Sequence, residues 1–248
     1  MYSIARNLID KKSSSQTFRF KQFDVSHSKS GQKVTTDSVL LGSWIELDQA
    51  PGRILDAGAG TGLLSLMAAQ KWPASKIEAL EIDEFSAEEC EDNFLRSPWK
   101  ERLFIKKDDF ACFCPSEKYD LILSNPPYFK NGIKAPDEKR RAARSESALN
   151  VISLIDFASV WLSENGTLGM VCPVGREKEI DFQALLRGFA SSKKLYVTTV
   201  EGKEPTLLLV ALSRTGESES RNLVLRHRFG AYTDDYIETT KEFYLFLH

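Results

Sequence analysis

The chain has 248 residues, of which 42% are hydrophobic, and a formal net charge of −2. This length and composition suit one α/β domain, or one domain with a small extension, around a core of ordinary size. A balanced charge excludes a uniformly basic nucleic-acid binder, so any contact with nucleic acid must depend on local patches.

The spacing of the cysteines indicates a protein of a reducing compartment. Cys90, Cys112, Cys114 and Cys172 form no C-x-x-C pair, and three histidines are too few for an obvious zinc site. We therefore expect reduced thiols, no metal and a cytoplasmic location.

The N-terminal "MYSIARNLIDKKSSSQ" has no continuous apolar segment, so we expect no signal peptide. The longest apolar runs, such as "TLLLVAL", are too short to span a membrane.

The first elements precede Arg53. "FRFKQFDVSHS" predicts a short strand or hairpin, and "TDSVLLGSWIEL" has the apolar spacing of a helix capped by Thr36 or Asp37. We divide the chain into an N-terminal extension, residues 1–50, and a single α/β domain, residues 51–248.

From Arg53 onward, predicted strands and helices alternate. The strands are "RILDAG", "KIEALEID", "RLFIKKDDF", "YDLILSN" and "GTLGMVCPV", and the helices are "GLLSLMAAQKW", "FSAEECEDNFL", "SALNVISLIDFASVWL" and "REKEIDFQALLRGFA". Ser86 and Glu89 have the spacing of a capping box. This alternation predicts a doubly wound, mostly parallel sheet with helices on both faces.

The C-terminal elements break the alternation. "KKLYVTTV" and "TLLLVALSR" follow each other without a helix, so we expect them to pair antiparallel at one edge. "NLVLRHR" predicts a further edge strand, and "TDDYIETTKEFYLF" predicts a closing helix.

A glycine-rich corner, "LDAGAGTG", joins the first strand to its helix. Gly58, Gly60 and Gly62 allow a tight turn and let a ligand approach without a Cβ in the way. Asp56 precedes them, and its carboxylate would repel a pyrophosphate but suit a cationic ligand. A tight strand-to-helix turn without a ligand is the alternative interpretation.

Acidic residues end the next two strands. Glu81 can accept hydrogen bonds from ribose hydroxyls, whereas the nearby Asp83 is better explained as a helix-start acid. Asp109 can accept from an adenine amino group, and the ring of Phe110 can cover the base. Together these residues outline a pocket for a positively charged nucleoside, a description that S-adenosylmethionine fits.

A rigid corner, "SNPPYF", ends the fourth strand. Asn125 is held in extended geometry because Pro126 follows it, and Pro127 makes the corner stiffer still. The side-chain oxygen of Asn125 and the carbonyl of Pro126 can converge on one amino group, while Tyr128 offers a flat face for stacking. The alternative is a turn that only ends the strand.

Such a corner suits methyl transfer to an aromatic amine. The lone pair of the adenine amino group is delocalised into the ring, so this nitrogen is a poor nucleophile. Two acceptors on its N–H bonds stabilise the positive charge that it gains in the transition state. Much of the remaining rate enhancement comes from holding the nitrogen in line with a sulfonium methyl group. No general base is required.

The two motifs together resemble a known enzyme family. "DAGAGTG" followed by "SNPPYF" is similar to class I S-adenosylmethionine-dependent amino-methyltransferases of the N-P-P-Y type. "FRFKQFDVSHSKSGQKVTTDSVLLGSW", "SPWKERL" and "EFYLF" resemble the bacterial tRNA1(Val) adenine-N6 methyltransferases. The resemblance implies a seven-stranded Rossmann-like methyltransferase sheet, S-adenosylmethionine as cofactor, and methylation of the adenine beside the anticodon, position 37.

The resemblance also implies residue roles. "QKVTTDS" matches a cofactor motif that places Lys33, Thr35 and Asp37 over the methionine part of the ligand, although relatives often have glycine where Thr35 stands. The segment up to residue 50 then covers the cofactor. The remaining matches are Asp56, Gly58, Gly60, Glu81, Asp109, Phe110 and Asn125 for cofactor binding, and Asn125, Pro126, Pro127 and Tyr128 for catalysis.

Three other functions remain open. The same corner serves N5-methylation of glutamine in peptide-release factors, but those enzymes carry a helical domain for which the segment before Arg53 is too short. Guanine-N2 methylation of rRNA usually involves an additional domain. A nucleotide-binding module without catalysis is the third alternative.

Binding of tRNA needs positive surface, which the sequence offers in residues 1–40, in the 130–144 loop and in "LRHRFG". The expected RNA contacts are Lys130, Lys134, Arg140, Arg141 and Arg144 in one polar loop, and Arg226 and Arg228 in "LRHRFG". We expect them to flank the catalytic mouth and grip the anticodon stem-loop, where a partly unstacked base is easily turned outward. Solvated surface charge is the alternative for each residue, and the oligomeric state stays open.

Overall fold

A computed structural model describes residues 17–28, 34–127, 149–216 and 218–245. Its strands are β1 (Thr17–Arg19), β2 (Asp24–Ser26), β3 (Arg53–Ala57), β4 (Lys76–Glu81), β5 (Leu103–Lys107), β6 (Tyr119–Ser124), β7 (Leu162–Pro173), β8 (Ala190–Val200), β9 (Leu207–Ser213) and β10 (Glu219–Arg226). Its α-helices are α1 (Thr36–Trp44), α2 (Leu63–Lys71), α3 (Glu84–Arg96), α4 (Val151–Trp161), α5 (Glu177–Leu186) and α6 (Asp234–Thr240). Short 3-10 turns cover Lys100–Arg102 and Val174–Arg176.

The central sheet has eight strands in the order β10-β8-β9-β7-β6-β3-β4-β5. All neighbouring pairs are parallel except the two that involve β9, which confirms the mostly parallel sheet and the antiparallel pairing of β8 with β9. The sheet has one strand more than the resemblance implies, because β10 pairs with β8 and forms the outer edge. The parallel strands end at a common edge, where sheets of this kind bind ligands.

Each face of the sheet carries its own hydrophobic core. Side chains alternate between the faces along each strand, so Ile54 and Leu121 lie in the core under α1, α2 and α3, while Leu55 and Ile122 lie in the core under α4 and α5. The prediction of helices on both faces is therefore confirmed. No helix within the described ranges has both the length and the apolar content to cross a membrane.

The structure corrects the predicted cap of α1 and confirms the predicted acid at the start of α3. Thr35, rather than Thr36 or Asp37, caps α1, because its extended backbone lets its side chain accept from the Ser38 N–H. Asp83 caps α3 and accepts from the Ser86 N–H at 2.9 Å, which confirms it as the helix-start acid.

The predicted capping box in α3 is therefore wrong as well. Ser86 lies inside the first turn, and Glu89 accepts a bond from the Ser28 hydroxyl at 3.1 Å instead. The predicted N-terminal hairpin is confirmed as β1 and β2, which pair antiparallel. The closing helix ends earlier than expected, at Thr240, and Tyr244 then forms a β-bridge with Phe20 of that hairpin region.

Candidate active site

The glycine corner between β3 and α2 requires glycine for two physical reasons. Gly58, Gly60 and Gly62 have φ angles of 73°, 56° and 81°, in the left-handed region that side chains disfavour. A Cβ on Gly58 would also lie 2.4 Å from Leu149 Cδ2, and one on Gly62 would lie 2.6 Å from Phe94 Cε1. The corner is therefore tightly packed on its protein side, and its backbone forms the start of the site.

Asp56, the last residue but one of β3, has a buried carboxylate of which only one oxygen is hydrogen-bonded within the described chain. Its Oδ2 accepts from the Ser65 N–H at 2.9 Å and from the Ser65 hydroxyl at 2.7 Å. Its Oδ1 is buried and has no hydrogen-bond partner within the described parts of the chain. Burial raises the pKa of Asp56 to about 7, against the lowering effect of the bonds from Ser65, and the nearby Glu81 raises it slightly further. A buried carboxylate oxygen without a partner fits a cationic ligand.

Glu81 ends β4 beside the glycine corner. Its Oε2 accepts from the Gly60 N–H at 2.8 Å, and its Oε1 accepts from the Asp83 N–H at 2.8 Å. The side chain is buried, and burial is the main reason that its pKa is raised. The two backbone bonds fix the carboxylate against the turn and leave each oxygen with further capacity to accept, as a ribose would require.

Asp109 and Phe110 follow β5 and have structural roles of their own. Asp109 Oδ1 accepts from the Ala111 N–H at 2.9 Å and so organises the turn. The Phe110 ring is nearly buried and lies 5.0 Å from the ring of Phe157, in the core on the α4 side. Their expected contacts with an adenine base remain predictions.

The proline corner follows β6 directly. Ser124 is fully buried and donates to the Ala57 carbonyl at 2.7 Å, which ties the end of β6 to the end of β3. Pro126 is buried, Pro127 is exposed and Asn125 is partly exposed between the sheet and the N-terminus of α1. The glycine corner and the proline corner thus come from adjacent strands at one sheet edge.

Asn125 is oriented by two hydroxyl groups. Its amide nitrogen donates to Ser38 Oγ at 2.8 Å and lies 3.5 Å from Thr35 Oγ1. Because the nitrogen is occupied on α1, the amide oxygen is the end left to accept from a ligand. The structure therefore brings Thr35 from the predicted cofactor motif to the predicted catalytic residue.

Ser38 is a candidate site residue that the sequence reasoning missed. Its N–H donates to Thr35 Oγ1 at 3.3 Å, and the two hydroxyls lie 3.2 Å apart, so both are positioned by the capped first turn of α1. Asp37 lies in the same turn. The signal in the sequence is the serine three residues after Thr35, although its partner lies far along the chain.

Asn93, on α3, was also missed. It is fully buried, its Oδ1 accepts from the Ser26 N–H at 2.9 Å, and its Nδ2 donates to the Thr61 carbonyl at 2.9 Å. A second bond from Nδ2 reaches the Ser26 carbonyl at 3.0 Å. Asn93 therefore fastens the end of the N-terminal hairpin to the glycine corner, immediately before the segment that leads to Thr35.

The structure places only some of the predicted RNA contacts. Arg226 ends β10, stacks on the Tyr232 ring at 3.8 Å and donates to the Gly230 carbonyl, and Arg228 lies in the exposed turn that follows. Lys33, Tyr128, Lys130, Lys134, Arg140, Arg141 and Arg144 lie outside the described residues. Within the described ranges, no group of three or more His, Cys, Asp or Glu side chains is suited to a metal ion.

A family model and named relatives both match most of this chain. The model of the methyltransferase small domain matches residues 28–194. A protein of Flavobacterium johnsoniae named tRNA1(Val) (adenine(37)-N6)-methyltransferase is 41% identical over 238 residues, covering 92% of this chain and 99% of that protein. A protein of Bacteroides fragilis with the same name is 42% identical over 235 residues, covering 92% and 97%.

Solved structures show the same fold. A crystal structure from Agrobacterium tumefaciens, described as a predicted O-methyltransferase, has a TM-score of 0.65 at 19% identity and covers 84% of this chain and 96% of that one. A ribosomal protein L11 methylase from Lactobacillus delbrueckii has a TM-score of 0.51 at 19% identity, with 81% and 82% covered. These similarities confirm the expected Rossmann-like methyltransferase architecture.

Proposed function

Because the chain belongs to the methyltransferase small domain family, we propose that it transfers a methyl group from S-adenosylmethionine to N6 of adenine 37 in tRNA1(Val). Relatives with that name match nearly the whole chain. The observation that carries the proposal is the 2.8 Å hydrogen bond from Asn125 Nδ2 to Ser38 Oγ, which leaves the amide oxygen for a substrate amino group.

Asn125 and Pro126 act on the adenine amino group. The Asn125 side-chain oxygen and the Pro126 carbonyl each accept one N–H bond, which stabilises the positive charge that develops on N6. The donor supplies an electrophilic methyl group on a sulfonium. The bound donor would give up its methyl group and leave as a thioether, while the Asn125 and Pro126 oxygens would hold N6 in place and N6 would release one proton to solvent. Tyr128 stacks on the adenine plane, and Pro127 keeps the corner rigid.

The glycine corner and its acids hold the cofactor. Asp56 Oδ1 provides the buried negative charge for a cationic ligand, and Glu81 accepts from the ribose hydroxyls. Gly58 and Gly60 let the ligand approach the backbone closely. Asp109 and Phe110 contact the adenine of the cofactor, while the N-terminal extension, residues 1–50, covers the methionine part through Lys33, Thr35 and Asp37.

Basic side chains bind the tRNA. The contacts are Arg226 at the end of β10 and Arg228 in the turn that follows, together with Lys130, Lys134, Arg140, Arg141 and Arg144. Contacts with phosphates make the affinity fall as salt concentration rises. A tRNA substrate places the reaction in the cytoplasm.

The substrate class is tested by incubating the protein with isotope-labelled S-adenosylmethionine and, separately, with total tRNA, rRNA and a peptide-release factor. We expect label in tRNA alone. Label confined to the release factor supports glutamine-N5 methylation instead, and label in rRNA supports guanine-N2 methylation. Binding of the donor without label in any of the three indicates a nucleotide-binding module.

A further inference from the structure

The turn that joins β10 to α6 presents a fully exposed aromatic ring. Phe229 has a relative exposure of 101%, whereas the other exposed large apolar side chains of the described chain range from 42% to 73%. Single exposed apolar side chains are common on protein surfaces, and Phe229 differs from them in its position and its neighbours.

The turn is held by contacts that do not involve the ring. The Gly230 N–H donates to the His227 carbonyl at 3.0 Å, and the His227 N–H donates to the Ala231 carbonyl at 2.9 Å. Below the turn, Arg226 and Tyr232 form a β-bridge, and the guanidinium stacks on the Tyr232 ring. Since these bonds define the turn, Phe229 is not needed to stabilise it and is presented on a rigid support.

The turn lies at the same sheet edge as the proline corner. β10 is parallel to β8, and β8 has the same direction as β7 and β6 because both β8 and β7 are antiparallel to β9. Four strand spacings of about 4.8 Å separate β10 from β6, which is roughly 19 Å across the sheet. The register also sets Arg226 five residues, or about 16 Å, further along the strand direction than Asn125. A molecule lying along this edge can reach both places.

Charged side chains of both signs lie close to the ring in the sequence and in the neighbouring turn. Arg226 and Arg228 precede the ring, and the Arg228 guanidinium lies over that turn, 3.0 Å from where a Cβ on Gly202 would be. The turn also contains Lys203 and Glu204, and its Glu201 lies 3.5 Å from His227. An aromatic face among arginines is the arrangement with which proteins bind unpaired nucleotides, through stacking and phosphate contacts.

We propose that Phe229 stacks on an unpaired base of the RNA substrate, at a nucleotide other than the methylated adenine, with Arg228 on an adjacent phosphate. The proposal rests on the proposed function, because it assumes that RNA lies along this edge. A protein partner is less suitable, since a stable protein interface buries roughly 800 Å² per partner and one ring on a basic turn offers far less.

The test measures binding of an unmodified valine tRNA transcript by fluorescence anisotropy over a series of salt concentrations. We expect Phe229→Ala to weaken tRNA binding by about 5- to 100-fold, which corresponds to the loss of one stacked base. The salt dependence of Phe229→Ala stays as in the wild type, whereas Arg228→Ala lowers the log–log salt slope by about 0.7. Phe229→Trp retains binding because it keeps a stacking face, and Phe229→Leu does not.

Phe182 is the matched control. It is also an exposed phenylalanine, but it lies on α5, which packs on a face of the sheet, so Phe182→Ala should bind tRNA normally. Affinity for S-adenosylmethionine and the melting temperature should be unchanged in both alanine variants. The single-turnover methylation rate of Phe229→Ala at saturating tRNA should also equal that of the wild type.

Equal tRNA affinity of Phe229→Ala and Phe182→Ala would overturn the inference, and so would normal binding by Phe229→Leu. A wild-type protein that methylates rRNA or a release factor but not tRNA would instead overturn the proposed function. If the wild type methylates tRNA and Phe229→Ala binds tRNA normally, the stacking inference fails and the proposed function stands. The two failures are therefore distinguishable.

Discussion

Removal of the Ser38 hydroxyl tests how Asn125 is oriented. In Ser38→Ala, the amide nitrogen of Asn125 loses its 2.8 Å acceptor and keeps only Thr35 Oγ1, at 3.5 Å. A hydrogen bond of this kind contributes about 0.5–1.5 kcal/mol net, so the preference for the productive amide orientation falls by that amount. The resulting loss in the methylation rate is about 2- to 10-fold. Thr35 Oγ1 still accepts from the Ser38 N–H and caps α1, so the helix start is retained.

The loss should be much smaller than that of removing the acceptor itself. Asn125→Ala deletes an oxygen that contacts the developing charge, for which a loss of about 100- to 1,000-fold is typical. Because Ser38 acts through Asn125, adding Ser38→Ala to Asn125→Ala should cost less than about 2-fold more. Ser38→Thr keeps the hydroxyl and should recover most of the wild-type rate.

The assay is single-turnover methylation of valine tRNA at saturating cofactor and tRNA, so that the rate reports the chemical step. Ser43→Ala is the matched control, since Ser43 lies on the same helix and its hydroxyl has no hydrogen-bond partner in the described chain. Independent, multiplying losses in the Ser38 and Asn125 double variant would refute the orientation mechanism. A wild-type rate in Ser38→Ala would do the same.

The remaining predictions concern the cofactor side of the site. Since burial raises the pKa of Asp56 to about 7, affinity for cationic S-adenosylmethionine should rise with pH through about 7, and Asp56→Asn should abolish that rise in calorimetric titrations. Because the pKa of Asp56 is raised from 3.8 to about 7, the folded protein without ligand keeps this carboxyl protonated in a pH range where the unfolded chain has lost the proton. Thermal stability should therefore fall as the pH rises from 3.8 towards about 7. Asn93→Ala should lower the free energy of unfolding by about 1–3 kcal/mol in urea titrations and also weaken cofactor binding, because it frees the hairpin from the Thr61 carbonyl. Gly58→Ala should lower the free energy of unfolding by at least about 1 kcal/mol. In the double variant, the added Leu149→Ala change should remove the steric clash with Leu149 but not the strain of the left-handed backbone at position 58.

Three results would contradict these predictions. Cofactor affinity that is independent of pH in the wild type would mean that Asp56 does not ionise on binding. Normal cofactor affinity in a destabilised Asn93→Ala would limit Asn93 to a structural role. Full recovery of Gly58→Ala by the Leu149 change would show that the left-handed backbone costs little.

The sequence predicts the elements that depend on local pattern. Strand-to-helix alternation, the antiparallel β8–β9 pair and the placement of both motifs at strand ends follow from apolar periodicity and from glycine and proline. The cap of α1 was misplaced by one residue because Thr35 and Thr36 are chemically equivalent, and only the backbone conformation at the helix start separates them.

The contacts that build the site depend on tertiary structure. Ser38 and Asn125 are 87 residues apart, Ser26 and Asn93 are 67 apart, and Ser28 and Glu89 are 61 apart. No local spacing indicates such pairs. Glu89 illustrates the difficulty, since its distance from Ser86 suits a capping box while its actual partner lies in the N-terminal segment.

The most direct test of the central claim is mass spectrometry of nucleosides from valine tRNA treated with a donor carrying a deuterated methyl group. The account predicts one labelled product, N6-methyladenosine at position 37, formed by the wild type and reduced at least about 100-fold in Asn125→Ala, although that variant still binds the donor. Label on another base or atom, or undiminished label with Asn125→Ala, would contradict it.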